Sequence, residues 1–151
     1  MGEKRSIKKI LIAAPLYPPE IGGPATYVQM LEAALPAHGF LLTVVPFTHV
    51  RTYPKVLRHF IYTLQLFKNA WGKDMIYALD PVSVGLPARL VSVCTRKPLW
   101  VRLGGDYAWE QGQQRFGLKT MLDDYTADKA AAPWQVRLLA GVQEFVVHGA
   151  Q

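Results

Sequence analysis

The stretch Lys9-Ile10-Leu11-Ile12-Ala13-Ala14-Pro15 decides how the rest of the chain is read. An unbroken apolar run follows a lysine and stops at Pro15, with Pro18 and Pro19 close behind. The run is too short for a helix. It lacks the alternation of a strand with one wet face, so it reads as a strand buried on both faces, as in a parallel sheet. Such a strand needs helices on either side, and the chain downstream supplies them.

Tyr17 to Pro24 is a Pro/Gly-rich loop. Pro24 suits a first helical turn, where its missing N–H costs nothing, and a helix is expected from Ala25 to about Ala37. Val28, Leu31, Ala34 and Leu35 form its apolar stripe, and Gly39 ends it. Leu41 to Val45 reads as a second buried strand. Pro54 to Trp71 reads as a helix closed by Gly72, and Met75 to Leu79 as the third strand. Asp80-Pro81 pairs an N-cap residue with an N1 proline, opening a helix through about Cys94 whose first turn Pro87 disturbs. Leu99 to Leu103 is the fourth strand, ended by Gly104-Gly105. Residues 106–132 read as a polar loop with a short helix near Leu118 to Asp124, and Pro133 to Val147 as a final amphipathic helix. This alternation predicts one Rossmann-like, three-layer α/β/α domain with a parallel sheet over residues 1–151.

Composition fits that reading. In 151 residues, 50% apolar and 19% charged, there is room for one hydrophobic core. Cys94 is the single cysteine, which excludes an intramolecular disulfide and makes the cytoplasm the expected location. The charged start, MGEKRSIKKI, is followed by too short an apolar run for a signal peptide. No apolar stretch reaches the roughly 18 residues of a membrane span. The net charge of +6 is unevenly placed: between Glu32 and Asp74 there is no acidic residue, while Arg51, Lys55, Arg58, Lys68 and Lys73 fall in that interval. A one-signed block suits an anionic partner, or it is an ordinary solvated basic face.

Ligands of open parallel sheets bind beyond the carboxyl ends of the strands. Four segments should therefore converge on one rim: Pro15 to Thr26, Pro46 to Tyr53, Asp80 to Ser83, and Gly104 to Glu110. Gly22-Gly23 precedes a helix start, where free N–H groups and a partial positive charge favour a phosphate or sugar. The spacing is neither G-x-G-x-x-G nor a P-loop, and a bare Gly-Gly is often only a turn. The missing fingerprint disfavours a nicotinamide-dependent enzyme.

The whole string Pro15-Leu16-Tyr17-Pro18-Pro19-Glu20-Ile21-Gly22-Gly23-Pro24-Ala25-Thr26-Tyr27, directly after the first strand, resembles family 4 of the glycosyltransferases. So does Lys97-Pro98-Leu99-Trp100-Val101-Arg102-Leu103-Gly104-Gly105-Asp106-Tyr107-Ala108-Trp109-Glu110. The resemblance covers essentially the full chain. It implies one half of a GT-B fold, in which two Rossmann-like domains face each other across a cleft. The half in hand is the N-terminal, acceptor-side domain, and the expectation is that the nucleotide-sugar domain lies outside these residues, leaving this piece inactive alone. Implied partners are a nucleotide-sugar donor and a glycan or lipid-linked acceptor, with retention of configuration, no metal and no cofactor.

By the same resemblance, Gly22 and Gly23 form the loop facing the donor phosphates, where N–H groups can stabilise a leaving diphosphate without a metal. Tyr17, Glu20, Thr26 and Tyr27 from the first string, and Arg102, Gly104, Gly105, Tyr107 and Glu110 from the second, are the implied acceptor-side residues. Many family members carry a histidine at the end of the fourth strand; Gly104 stands there instead. Asp106 is then the candidate for orienting the acceptor hydroxyl or taking its proton, and the alternative is that it caps a turn. Arg102 either contacts an anionic acceptor or ends the strand in solvent. His38, His49, His59 and His148 show no metal spacing, and Ser83 has no G-x-S-x-G elbow. Asp123, Asp124 and Asp128 read as a solvated helix end.

The helix from Lys55 to Trp71 places Leu57, Phe60, Ile61, Leu64, Phe67 and Trp71 on one apolar face, with Arg58, Tyr62, Gln65 and Asn69 opposite. A basic amphipathic helix with aromatics can lie on an anionic membrane, giving peripheral attachment at its inner face. The competing expectation is that this face packs on the sheet. No nucleic-acid recognition motif is present. The rival to the transferase reading is a non-catalytic α/β module that binds a membrane surface or a partner.

Overall fold

The computed structural model describes residues 8–151. The charged start used in the signal-peptide reading, Met1 to Ile7, lies outside the described residues. The chain forms a four-stranded, all-parallel sheet with helices on both faces. Its strands are β1 (Lys8–Ala14), β2 (Phe40–Pro46), β3 (Met75–Ala78) and β4 (Leu99–Val101), in the order β2-β1-β3-β4. The helices are α1 (Gly23–Ala34), α2 (Lys55–Ala70), α3 (Gly85–Thr95), α4 (Tyr107–Arg115), α5 (Leu122–Ala127) and α6 (Trp134–His148). This is the Rossmann-like α/β architecture expected from the sequence.

β1 is central, and Ile10 to Ala14 are all buried. Its side chains alternate between two cores, as strand geometry requires. Leu11 and Ala13 join Ile76, Ala78 and Leu99 beneath Tyr62, Leu66 and Ala70 of α2, Ala88 and Val91 of α3, and Val146 of α6. Ile10, Ile12 and Ala14 meet Val28 of α1, with Tyr27, Leu31, Val44 and Tyr77 around them. The direction of travel along the sheet reverses after β2, so α1 lies on one face and α2 and α3 on the other, as crossovers of one hand demand.

Several boundaries differ from the sequence reading for local reasons. β2 is an edge strand, and only Val45 of it is buried, so the expectation of a second buried strand is corrected by its place in the sheet. The first helix ends at Ala34 and tightens into a 3-10 turn over Leu35–His38, because Pro36 has no N–H to continue the α ladder. Gly39 then stops it at φ 83°. Asp80 does act as a cap, but of an irregular turn: its carboxylate accepts from the N–H groups of Val82 (2.8 Å), Ser83 (2.6 Å) and Val84 (3.3 Å), and regular helix starts only at Gly85. Gly85 has no alternative there, since a β-carbon would lie 2.6 Å from the Asp80 carbonyl oxygen. β4 stops at Val101, two residues short of the expected end.

Two corrections are larger. Residues 107–115, read as loop, form α4, while the expected short helix is displaced to α5 at Leu122–Ala127. α4 buries only Ala108 and Gly112. A β-carbon on Gly112 would come within 2.9 Å of Leu118 Cδ2 and 3.0 Å of Val136 Cγ2, so the glycine is there for close packing against α6. The second correction concerns α2. Tyr62, Leu66 and Ala70 face the sheet, and the buried Tyr62 hydroxyl donates to the Val45 carbonyl oxygen at 2.6 Å. Tyr62 was expected on the outer side. Leu57, Phe60, Leu64, Phe67 and Trp71, which the sheet-packing alternative places inside, are exposed; of that face only Ile61 packs against the core.

The orientation of α2 sets a mutational contrast. Leu66→Ala is expected to cost about 3 kcal/mol by urea denaturation, as for a fully buried leucine. Leu64→Ala, two residues away, is expected to stay within about 0.5 kcal/mol. Equal losses at the two positions would mean that the helix faces the sheet with its other side.

Candidate functional site

The strand order places a switch point between β1 and β3, because the chain leaves β1 toward β2 and leaves β3 toward β4. The loops beyond them diverge, and a crevice opens at their carboxyl ends. A cleft of about 480 Å³ lies there. Pro15, Leu16 and Pro24 wall it from the first loop, and Leu79 to Pro81 with Ser83 form its floor. Arg102, Gly104 and Gly105 come from the loop after β4, and Tyr107, Glu110, Gln111 and Gln114 from α4. Three of the four expected rim segments therefore meet.

The fourth segment, Pro46 to Tyr53, does not line the cleft but is bolted to its first loop. Glu20 accepts from Thr48 Oγ1 (2.7 Å), from Arg51 Nη1 (2.6 Å) and from its own loop at Tyr17 N (3.3 Å), and Arg51 Nη2 also reaches the Pro15 carbonyl (2.9 Å). The hydrogen bond from Thr48 first, then the Tyr17 N–H and the Arg51 charge, hold the Glu20 carboxyl below its ordinary range. Tyr17 turns away, with its hydroxyl on Glu32 at 3.1 Å. Thr26 is exposed and donates to the Gly22 carbonyl. Tyr27 pairs its hydroxyl with that of Tyr77 at 3.1 Å, and the Arg102 guanidinium sits 4.5 Å above the Tyr27 ring. Burial first, then the Tyr27 hydrogen bond, raise the Tyr77 phenol. The structure thus uses Tyr17, Glu20, Thr26 and Tyr27 to brace the loop, and only Arg102 carries that brace into the cleft.

Gly22 and Gly23 stand at the start of α1, which has no side-chain cap and no acidic residue in its first turn. A β-carbon at Gly23 would meet nothing within 4 Å, so the position is open. The Gly105 backbone lies against the Glu110 carboxylate.

Asp106 is placed as the N-cap of α4: its Oδ1 accepts from Trp109 N at 3.0 Å, and it is not among the residues walling the cleft. The carboxylate at the cleft floor is Asp80, read from sequence as a cap at the start of one of the rim segments. Burial raises its pKa above the ordinary aspartate value, opposed by hydrogen bonds from Ser83 Oγ and three backbone N–H groups. Tyr107 stands beside it; burial and the nearby Asp80 charge raise its phenol. His59 lies beneath, its imidazole pushed toward the neutral form by burial and by Arg58. Gln111, which sequence reasoning missed with its helix, leaves Oε1 buried without a hydrogen-bond donor among the described residues. Among the described residues no group of three or more His, Cys, Asp or Glu side chains is placed to hold a metal.

Comparison with protein-family models finds no match, and comparison with curated proteins finds no significant relative.

Two consequences follow from the hydrogen-bond geometry. Asp80→Ala strands three N–H groups at the cleft floor and is expected to cost about 2 kcal/mol, whereas Asp80→Asn, which keeps an acceptor, recovers most of it; matched losses in urea melts would show that the charge, not the acceptor, matters. The Glu20 brace has a lowered folded value, so its contribution is present above about pH 4.3, the unperturbed glutamate value, and disappears as pH falls through the folded one. Amide exchange at Thr48 and Arg51 should accelerate in that acid window and not at neutral pH.

Proposed function

We propose that this chain is the acceptor-binding half of a retaining glycosyltransferase, which transfers a sugar from a nucleotide sugar to a hydroxyl of a glycan or lipid-linked acceptor. The observation that carries the reading is the shared cleft: the two strings that resemble family 4, far apart in sequence, wall one crevice at the switch point. The chemistry of its lining agrees. Gln111 Oε1 is a buried acceptor without a donor among the described residues, suited to a sugar hydroxyl. Arg102 and the uncapped start of α1 supply positive potential toward a diphosphate.

On this reading the acceptor lies over Leu16, Gly105 and Gln111, and the donor is presented from a second domain across the cleft. The α1 N–H groups meet charge that develops on the leaving diphosphate. Asp106, used as a helix cap, positions α4 and hence Gln111 and Glu110 at the cleft wall. Membrane-linked acceptors would place the protein at the cytoplasmic face of a bilayer.

The test uses backbone NMR of the 151-residue chain titrated with oligosaccharides and with UDP- and GDP-sugars. An acceptor glycan is expected to shift Leu16, Gly105 and Gln111 together. Gly23→Trp, which fills open space at the loop, should weaken binding about tenfold or more and leave stability within about 0.5 kcal/mol. If no glycan or nucleotide sugar moves the cleft resonances, the transferase reading fails.

A further inference from the structure

We infer that Ser83 is a specificity-determining residue of the cleft floor: with its direction fixed by Asp80, it takes only a group that donates, a free hydroxyl of a neutral glycan. The inference rests on the glycan reading of the cleft given above and narrows it to the group that the floor accepts. Ser83 lines the cleft beside Asp80 and Tyr107. Asp80 Oδ1 is taken up by backbone, accepting from the N–H groups of Val82 (2.8 Å), Ser83 (2.6 Å) and Val84 (3.3 Å). Oδ2 is left over, and Ser83 Oγ donates to it. A carboxylate has no proton to offer, so the serine hydroxyl has no choice of direction. Its one proton is committed to Asp80, and lone pairs alone are left for the cleft. Tyr107 stands close enough for the Ser83 hydroxyl to act on its phenol. Ser83 Oγ has two lone pairs, so one stays open even with Tyr107 against it.

Gln111 repeats the demand from the α4 wall. Its Oε1 is buried without a donor among the described residues, and an acceptor in that state costs free energy until a ligand supplies the proton. The charges of the lining agree: the carboxylates of Asp80 and Glu110 stand against the Arg102 guanidinium, which is held over the Tyr27 ring. A carboxylate or phosphate seated on this floor would set lone pairs against lone pairs. Sugar hydroxyls can donate to Ser83 and Gln111 alike. The same geometry shows how the floor is reversed. In Asp80→Asn the amide oxygen stays on the three backbone N–H groups, because the NH2 placed there would set donors against donors. The NH2 then faces Ser83 Oγ, which must accept from it, and the serine proton turns to the cleft. The floor becomes a donor with its shape unchanged.

NMR titrations of the 151-residue chain at neutral pH test this, with the methyl glycosides of glucose, mannose and galactose. Each is compared with its monodeoxyfluoro derivatives, in which one hydroxyl at a time becomes a group of similar size that cannot donate. A glycoside that binds the parent is expected to shift Ser83 and Gln111 together, and fluorine at one ring position should weaken it about tenfold. In Ser83→Ala the unmodified glycoside should bind about tenfold more weakly, and fluorine at that position should cost nothing further. In Asp80→Asn the fluorine penalty there should disappear too, since the serine now has a proton to give, while penalties at the other positions stay. A serine that merely supports the loop would weaken every derivative alike. If Asp80→Asn does not fold, Ser83→Ala carries the test. A glycoside bound equally by the parent and Ser83→Ala would overturn this inference and leave the transferase reading standing, as would a tenfold fluorine penalty that survives in both variants. If no glycoside or nucleotide sugar moves the cleft resonances, the transferase reading falls and this inference with it.

Discussion

The burial of β1 on both faces is the constraint from which the rest follows. Leu11, Ile12, Ala13 and Ala14 have no exposed surface, so neither face of the sheet can be left to water at its centre. One crossover must cover the Ile10, Ile12 and Ala14 side and others the Leu11 and Ala13 side. That division is what reverses the chain between β2 and β3 and opens the crevice between the loops after β1 and β3. The cleft is thus a by-product of covering one strand twice. Its floor then needs a device to end β3 without stranding the next N–H groups, and the Asp80 carboxylate with its backbone donors is that device.

Much of this was legible in the sequence because it rests on short-range chemistry. An unbroken Ile/Leu/Ala run can be little else than a doubly buried strand when prolines end it. Glycines and prolines placed most helix ends to within a few residues, and the carboxyl-end rule named three of the segments that meet. What stayed hidden depends on partners distant in sequence. β2 reads like β1 from its residues, and only the strand order makes it an edge. α4 is hidden by Gly112, which as an isolated residue argues against helix but here lets α6 approach. Asp106 and Asp80 each follow a strand closely, and nothing in their spacing tells which one walls the cleft.

The side that α2 turns to the sheet stayed hidden for a different reason. Amphipathic patterning assumes that the most apolar side of a helix is the side that packs. In α2 the packed side is built from Tyr62, Leu66 and Ala70, where one phenol both fills volume and satisfies the Val45 carbonyl at the edge of the sheet. That side is narrow and mixed, so it scores lower than the aromatic row it faces away from. A pattern that contradicts the packing is informative in itself. A crossover helix needs one apolar side for the sheet, and α2 has two.

The outward apolar row of α2 is also tied to the cleft. α2 starts directly after the rim segment that holds Thr48 and Arg51, and Glu20 ties that segment to the loop walling the cleft. The apolar row therefore begins beside the cleft end of the sheet, at Val56, and runs away from it to Trp71. The brace fixes where that row starts relative to the cleft, through three separate contacts to a single partly exposed glutamate.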